Sequence, residues 1–120
     1  MSITFHKKGT ITIAELQSTS IAISSVEEGL NLIGDLYYQN VDCIILHREN
    51  LSEQFFDLKT GFAGELLQKF SNYRMRLAIV GELSSYSGKA LTDFILECNR
   101  GQQTSFVESV EEVFSKHCPN

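Results

Sequence analysis

The sequence predicts an α/β fold: one domain over residues 1–120, with a mixed, mainly parallel sheet, an N-terminal β-hairpin and about four covering helices. Near the N-terminus, apolar residues alternate with polar ones on both sides of a turn sequence, which is typical of a hairpin. After residue 20, short apolar runs alternate with stretches whose apolar residues recur at helical spacing. Strands separated by single helices pair in parallel, so this order predicts a mainly parallel sheet.

The hairpin is predicted from Lys8-Gly9-Thr10, which supplies turn chemistry between two alternating segments. The four apolar residues that flank this turn are Ile3, Phe5, Ile11 and Ile13. We expect them to form one apolar face of the hairpin. Residues 21–23, Ile-Ala-Ile, then predict a short additional strand.

The first helix is predicted where the apolar period changes to steps of three and four residues, at Val26, Leu30, Ile33 and Tyr37. Ser25 and the glutamate at 28 form the S-x-x-E pattern of a capping box, which satisfies two backbone amides reciprocally. The same letters, Ser-Val-Glu-Glu, recur at 109–112 after another predicted strand. We therefore expect one capping solution at two strand–helix junctions.

Further strands are predicted from short apolar runs at residues 43–46, 77–80 and 105–107. Asn50 with Glu53 is expected to cap the first helical turn after the 43–46 strand. Gly101 is expected to end the helix before the last strand in a left-handed conformation.

Composition excludes several classes of protein. Ten Lys and Arg against fifteen Asp and Glu give a net charge of −5 and a pI near 5.1, which argues against a nucleic-acid or anionic-membrane binder. No apolar run approaches the roughly 20 residues that span a bilayer. Residues 1–16 alternate and include two lysines, so we expect no signal peptide.

The three cysteines favour a reducing, cytoplasmic location, because an odd number with one in an apolar run is not a disulfide framework. A metal site is not expected either. Cys43 and His47 share a strand face but lie roughly 13 Å apart at ~3.3 Å per residue, too far to bind one ion. No cofactor is predicted.

The stretch FFDLKTGFAGELLQKFSNYRMRLAIVG (55–81), followed by DFILECNRG (93–101), resembles the uncharacterised bacterial domain-of-unknown-function family 4180 over nearly the whole chain. The resemblance implies a small α/β architecture similar to that of STAS (anti-sigma-factor antagonist) domains. It implies no activity, because none is established for the family. STAS domains of this kind switch partners when a serine in their Asp-Ser-x-Gly-like turn is phosphorylated. That turn has no counterpart here, so similarity of fold does not carry the mechanism across.

Candidate ligand residues are expected where the carboxyl ends of parallel strands meet, since ligands of open α/β sheets bind there. The loop 81–90 follows a strand and opens a helix but lacks the Walker A spacing, so nucleotide hydrolysis is not expected. Its serines predict weak anion binding or simple helix capping. The residues assigned to this edge are Arg48, Asn50, Lys59, Ser84, Ser85 and Lys89. A solvated face without a ligand is the alternative interpretation.

The absence of a legible nucleophile–base pair, metal set or cofactor loop favours a non-enzymatic binding or regulatory module. The alternative is a small enzyme or sensor that holds an anionic metabolite with Arg48 and Lys89 and uses His47 or Glu82 for proton transfer. The expected partner is accordingly a protein or an anionic small molecule. The hairpin leaves a sheet edge, which favours a homodimer; a monomer whose own helices cover the apolar face of the hairpin is the alternative.

Overall fold

A computed structural model describes residues 2–84, 86 and 88–117, which fold around one five-stranded sheet. The strands are β1 (Ser2–Lys8), β2 (Ile11–Gln17), β3 (Cys43–His47), β4 (Arg76–Val80) and β5 (Thr104–Val107). They lie in chain order across the sheet. β1 is antiparallel to β2, and β2 to β5 are parallel to one another. The predicted mixed, mainly parallel α/β fold is confirmed.

The helices are α1 (Val26–Tyr37), α2 (Glu53–Phe56), α3 (Phe62–Asn72), α4 (Lys89–Arg100) and α5 (Val110–His117). Single 3-10 turns, Arg48–Asn50 and Leu58–Thr60, flank the four-residue α2. The predicted number of about four holds for the longer helices. Across the described residues, no helix has the length and apolar character needed to span a membrane.

The sheet is covered on both faces, and each face has its own apolar cluster. Helices α1, α3 and α4 connect parallel strands and pack on one face, where Leu46, Phe55, Leu66 and Phe70 are buried. Helix α5 packs on the other face through Val113, against a smaller cluster. That cluster contains Ile13, Cys43, Ile45, Ala78 and Val80.

The predicted single apolar face of the hairpin is wrong. A two-residue turn at Gly9–Thr10 pairs Lys8 with Ile11, so odd-numbered residues of β1 lie opposite even-numbered residues of β2. Ile3 and Phe5 therefore face α1, whereas Ile11 and Ile13 face α5. The turn length, which sets register, decides which face each side chain takes.

Three smaller expectations are also wrong. Residues 21–23 form no strand: Ile23 makes one isolated parallel bridge to Leu51. The buried face of α1 is rotated from the predicted stripe and consists of Gly29, Leu32, Ile33 and Leu36, while Tyr37 is exposed. Gly101 is extended, at φ −100°, so α4 does not end in a left-handed residue.

The two Ser-Val-Glu-Glu segments do share one capping geometry. The Ser25 hydroxyl accepts a hydrogen bond from the Glu28 amide at 3.2 Å, as the capping box predicts. The Glu28 carboxylate, however, accepts from the amide of Ser24, one residue before the predicted donor. Ser109 and Glu112 repeat both bonds at the start of α5.

Candidate functional site

The carboxyl ends of β2, β3, β4 and β5 meet at one edge of the sheet, where open α/β folds bind ligands. The sequence predicts this edge from the last three strands only. Because β2 is parallel to β3, with Glu15 beside Ile45 in register, its carboxyl end also belongs to the edge. The loop that follows β2 therefore lies next to the 3-10 turn that follows β3.

A carboxylate held between two imidazoles lies at this end of the sheet, on the α5 side. Glu15 Oε1 is 2.9 Å from His6 Nε2, and Glu15 Oε2 is 2.7 Å from His47 Nε2. The Glu15 side chain is only 9% exposed, and the two imidazoles are 29% and 24% exposed. The three residues come from adjacent strands, so the contacts tie β1, β2 and β3 together.

The charge of Glu15 is stabilised by its two neighbours. Burial by itself works to raise the pKa of Glu15, but the hydrogen bonds and charge of His47 and His6 bring that pKa below its ordinary value. An ionised carboxylate can only accept hydrogen bonds, so each imidazole donates through its Nε2–H. The arrangement forms a buried anion with two matched donors.

Metal binding by this part of the protein has no geometric support. Among residues 2–84, 86 and 88–117, no three His, Cys, Asp or Glu side chains are grouped so that they could hold an ion. The imidazole nitrogens that point at Glu15 are used in the contacts with its two oxygens.

A polar cleft adjoins this cluster. It has a volume of about 620 Å³ and is open to solvent. Its walls come from the end of β2 with the segment that follows it, and from the end of β3 with the 3-10 turn that follows it: Gln17, Ser18, Thr19, Ser20, His47 and Glu49. His47 belongs to both features, so a molecule bound in the cleft would lie against an imidazole that Glu15 orients.

Asn50 holds the two walls of the cleft together. Its side chain is fully buried, at 0% exposure, and makes three hydrogen bonds to backbone atoms. The side-chain oxygen accepts from the His47 amide at 2.9 Å, and the NH₂ group donates to the carbonyls of Ser18 and Ser20 at 2.9 and 3.0 Å. The structure thus gives Asn50 a scaffolding role instead of the predicted cap of the next turn, and leaves it no exposed atoms for a ligand.

Arg48, another predicted ligand residue, contacts the side chain of Tyr86. Its Nη1 donates to the Tyr86 hydroxyl at 2.9 Å, and its guanidinium lies 5.5 Å from the centre of the Tyr86 ring. The same hydroxyl donates to the carboxylate of Glu53, and the ring stacks on Phe56 at 4.5 Å. Burial, joined by Glu53, raises the pKa of Tyr86 despite the opposing effect of Arg48. Arg48 therefore anchors the loop after β4.

The remaining predicted ligand residues are dispersed. Lys59 is exposed on the 3-10 turn at Leu58–Thr60, and Lys89, 87% exposed, pairs with Asp93 at 2.7 Å. The amide and hydroxyl of Ser84 donate to the carboxylate of Glu82, and these bonds lower the pKa of that carboxylate. Ser84 does not cap α4, whose N-cap is Gly88. Ser85 lies outside the described residues.

Sequence reasoning singles out His47 at the end of β3 but misses its partner Glu15 and the second imidazole, His6. A usable signal was present for Glu15, which continues the i, i+2, i+4 series of Ile11 and Ile13. A carboxylate on an apolar strand face needs a partner, because an unpaired buried charge is costly. No comparable signal marks His6, whose face depends on the length of the hairpin turn.

Comparison with known families places the chain within one of them. Residues 8–116 match a family described as Domain of unknown function (DUF4180), which is 109 of the 120 residues. The chain belongs to the DUF4180 family. Glu15, His47 and the cleft lie within the DUF4180 match, and His6 lies two residues before it. The chain matches no curated protein and no solved structure, so the STAS-like architecture stays a prediction.

Proposed function

We propose that the protein is a cytoplasmic, non-enzymatic binding module that takes a small polar ligand in the cleft at the carboxyl edge of the sheet. The observation that carries this proposal is the buried Glu15 carboxylate, paired with His6 and with His47, which itself lines the cleft. Buried polar networks of this kind are expensive to maintain and cluster at functional sites. The cytoplasmic location rests on cysteine usage typical of a reducing compartment.

The chemistry of the cleft favours a neutral or cationic ligand that carries hydroxyl or amine groups. Hydroxyls and amides predominate in the lining, and its carboxylate, Glu49, is exposed. Glu15 adds a second negative charge behind His47. Among the described residues neither Lys nor Arg lines this cleft, so an anionic group would meet the exposed Glu49 carboxylate without a lysine or arginine to bind it.

The pairing of Glu15 supports binding and regulation over catalysis. A general base needs a lone pair directed at the substrate, but each oxygen of Glu15 already accepts from an imidazole. The contacts of Glu15 instead connect the cleft residue His47 with His6 in the edge strand. A ligand that shifts His47 changes its bond to Glu15, and through Glu15 it changes the bond that anchors β1, the edge strand.

The anionic-metabolite alternative requires cations that are now engaged elsewhere. Arg48 would have to leave Tyr86, and Lys89 would have to leave Asp93. The two alternatives make opposite predictions about ligand charge, so one set of probes separates them.

The test uses three probes that share one ring but differ in charge: glucosamine, glucose and glucose 6-phosphate, each titrated into the full chain by calorimetry. We expect saturable binding of glucosamine and of glucose, with the higher affinity for glucosamine, and no binding of glucose 6-phosphate. Binding of glucose 6-phosphate alone, lost in Arg48→Ala, would support the anionic-metabolite alternative. Absence of heat from all three would contradict the proposal for this chemical class.

Two matched variants locate the site. Glu49→Gln removes the exposed carboxylate of the cleft and is expected to weaken glucosamine about tenfold, as loss of one charge-assisted contact would. Glu65→Gln removes an exposed carboxylate from α3, away from the cleft, and is expected to leave affinity within about twofold. Equal effects of both variants would mean that net charge, and not the cleft, attracts the probe.

A homodimer is proposed as the assembly, on a separate observation. Strand β1 is the outer strand of the sheet and pairs with β2 alone among the described strands. Phe5, the middle residue of Ser2–Lys8, is 44% exposed. An antiparallel pairing centred on Phe5 would place the two Phe5 rings together and the two pairs of lysines at opposite ends.

Light scattering at micromolar concentration tests the dimer. We expect a mass of about twice 13.5 kDa for the native chain and a return to 13.5 kDa in Phe5→Lys. Leu96→Lys, which alters an exposed apolar side chain on α4, is the matched control and should remain dimeric. A native mass near 13.5 kDa that does not rise with concentration contradicts the dimer. Ile3 is a poorer position for this test because it packs against the core.

A further inference from the structure

A second concave surface lies between α1 and the sheet, apart from the edge cleft. It has a volume of about 200 Å³. Its floor is apolar and consists of Leu16, Ala22, Ile23 and Leu32. The exposed side of α1 forms its rim through Glu28 and Asp35. We name this surface the α1 groove.

Helix α1, which forms the rim of the groove, carries charge of one sign. Between Gly9 and His47 the sequence contains no Lys and no Arg. The same stretch contains five carboxylates: Glu27, Glu28, Asp35 and Asp42, and Glu15, which lies on the α5 side of the sheet, away from the groove. Three of them belong to α1, whose last turn has no basic residue to offset them. The groove therefore joins an apolar floor to a negative rim.

The two rim carboxylates have a spacing that another helix can match. Glu28 and Asp35 are seven residues apart, which is two turns and about 10.5 Å along the helix axis. On a helix that runs alongside α1, cations at positions i and i+7 have the same separation. Positions i+3 and i+4 lie on the same face between them and would point at the apolar floor.

We propose that the α1 groove binds a basic amphipathic helix of a partner protein. Aliphatic side chains of the partner occupy the floor formed by Ala22 and Leu32, and its two cations pair with Glu28 and Asp35. Helix-in-groove recognition of this kind uses i, i+3, i+4 and i+7 anchors. Complementary charge sets orientation and speeds association, and the negative rim repels nucleic acid and anionic lipid.

The probe is a labelled helical peptide of about 16 residues, built on alanine and glutamine, with Lys at i and i+7 and Leu at i+3 and i+4. A second peptide carries Glu in place of both Lys and keeps the leucines. Fluorescence anisotropy is measured with the full chain at low and at physiological salt. We expect the Lys peptide to bind at least about tenfold more tightly than the Glu peptide, with a difference that shrinks as salt rises.

Two pairs of variants assign the binding to the groove. Asp35→Lys is expected to weaken the Lys peptide about tenfold, while Glu111→Lys, the same charge change on exposed α5, stays within about threefold. Ala22→Leu fills the floor and is expected to weaken both peptides, while Ala90→Leu on the exposed start of α4 has no effect. Circular dichroism confirms that each variant is folded.

Equal loss in Asp35→Lys and Glu111→Lys would overturn the proposal, because the attraction would then be to the net charge of the chain. Binding that survives Ala22→Leu unchanged would also overturn it. Sedimentation of the chain alone provides a further check. Self-association that Asp35→Lys abolishes would identify a second copy as the occupant and would contradict a basic partner helix. None of these results depends on what the edge cleft binds.

Discussion

His47 Nε2 lies 2.7 Å from Glu15 Oε2, which joins the end of β3 to β2. On its other side the same carboxylate contacts His6 in β1 at 2.9 Å. One acidic side chain thus connects the edge strand with the wall of the cleft. The wall of the cleft and β1, where we propose the dimer contact, are therefore joined through this single group.

Glu15→Gln is expected to lower the free energy of unfolding by about 1–3 kcal/mol at pH 7, because a hydrogen bond to a buried charged group contributes about 1.5–3 kcal/mol. The amide retains one acceptor and loses the charge that both imidazoles favour. Urea unfolding measures the loss, with Glu111→Gln on exposed α5 as a control that should change stability by less than about 0.5 kcal/mol.

The pH dependence of that difference provides its check. The pKa of Glu15 is lowered on folding, so its contribution is fully present above the ordinary value of 4.5 and is lost as the pH falls through the folded-state pKa. The native chain and Glu15→Gln should therefore converge in stability below pH 4.5. A gap that persists unchanged into that range would show that the charge of Glu15 is not what the imidazoles stabilise.

Asn50→Ala is expected to lower the free energy of unfolding by about 2–4 kcal/mol, since it removes three hydrogen bonds of a fully buried side chain and leaves the His47 amide without its Asn50 acceptor. Urea unfolding measures the cost, and hydrogen exchange of the His47 amide, which loses its Asn50 acceptor, reports the loosened wall of the cleft. Asn72→Ala, which truncates an exposed amide on α3, is the control. A loss below about 1 kcal/mol would contradict the scaffolding role of Asn50.

Much of the fold follows from patterns that are local in the sequence. The period of two in β1 and β2, and the short apolar runs at 43–46 and 77–80, are within a few residues of the observed strands. The Ser-Val-Glu-Glu segments predict both caps because the capping bonds span only a few residues. Such interactions are readable without knowledge of the tertiary structure.

The errors arise where tertiary structure decides. Asn50 looks like a helix cap in isolation, but its side chain turns back to the carbonyls of Ser18 and Ser20, about thirty residues earlier in the chain. The parallel pairing of β2 with β3 brings the segment after β2 to the carboxyl edge of the sheet, and no local sequence pattern predicts this pairing. The cleft is lined by side chains other than the described members of the predicted ligand set, which are Arg48, Asn50, Lys59, Ser84 and Lys89.

His117 is expected to make the chain less stable in mild acid. It is 6% exposed, and neither ring nitrogen has a hydrogen-bond partner among the described residues. Burial first, then Arg76 and Lys116, lower its pKa. The unfolded chain thus binds a proton near pH 6.5 that the folded chain does not, so stability falls from pH 6.5 towards the folded-state pKa.

Replacing His117 by leucine removes this contribution. The free energy of unfolding should then change less with pH between pH 7 and pH 5. Urea unfolding of both chains at several pH values gives the comparison. Because other groups titrate in this range, the quantity that matters is the difference between the two chains. A difference that stays constant with pH would contradict a neutral, buried His117.

Gly81→Ala is expected to lower stability by about 1–3 kcal/mol and to release Arg48 from Tyr86. Gly81 has φ +155°, and a Cβ there would lie 2.7 Å from the Arg48 Cβ. Thermal unfolding measures the loss of stability. The tyrosine fluorescence of each chain, minus that of the same chain with Tyr86→Phe, reports the contact between Arg48 and the Tyr86 ring. Gly64→Ala, in α3 with open space around it, is the matched control and should be neutral or stabilising.

The most direct test of the account is a ¹H–¹⁵N correlation spectrum of the full chain during titration with glucosamine. The account predicts saturable shifts concentrated at the amides of Ser18, Thr19, Ser20 and Glu49, together with a change in the ring signals of His47. The same titration of Glu49→Gln should need about ten times more glucosamine to reach half-saturation. Shifts concentrated instead at Lys59, Ser84 and Lys89, with the Ser18–Ser20 amides unmoved, would contradict the central claim that the cleft beside Glu15 is the binding site.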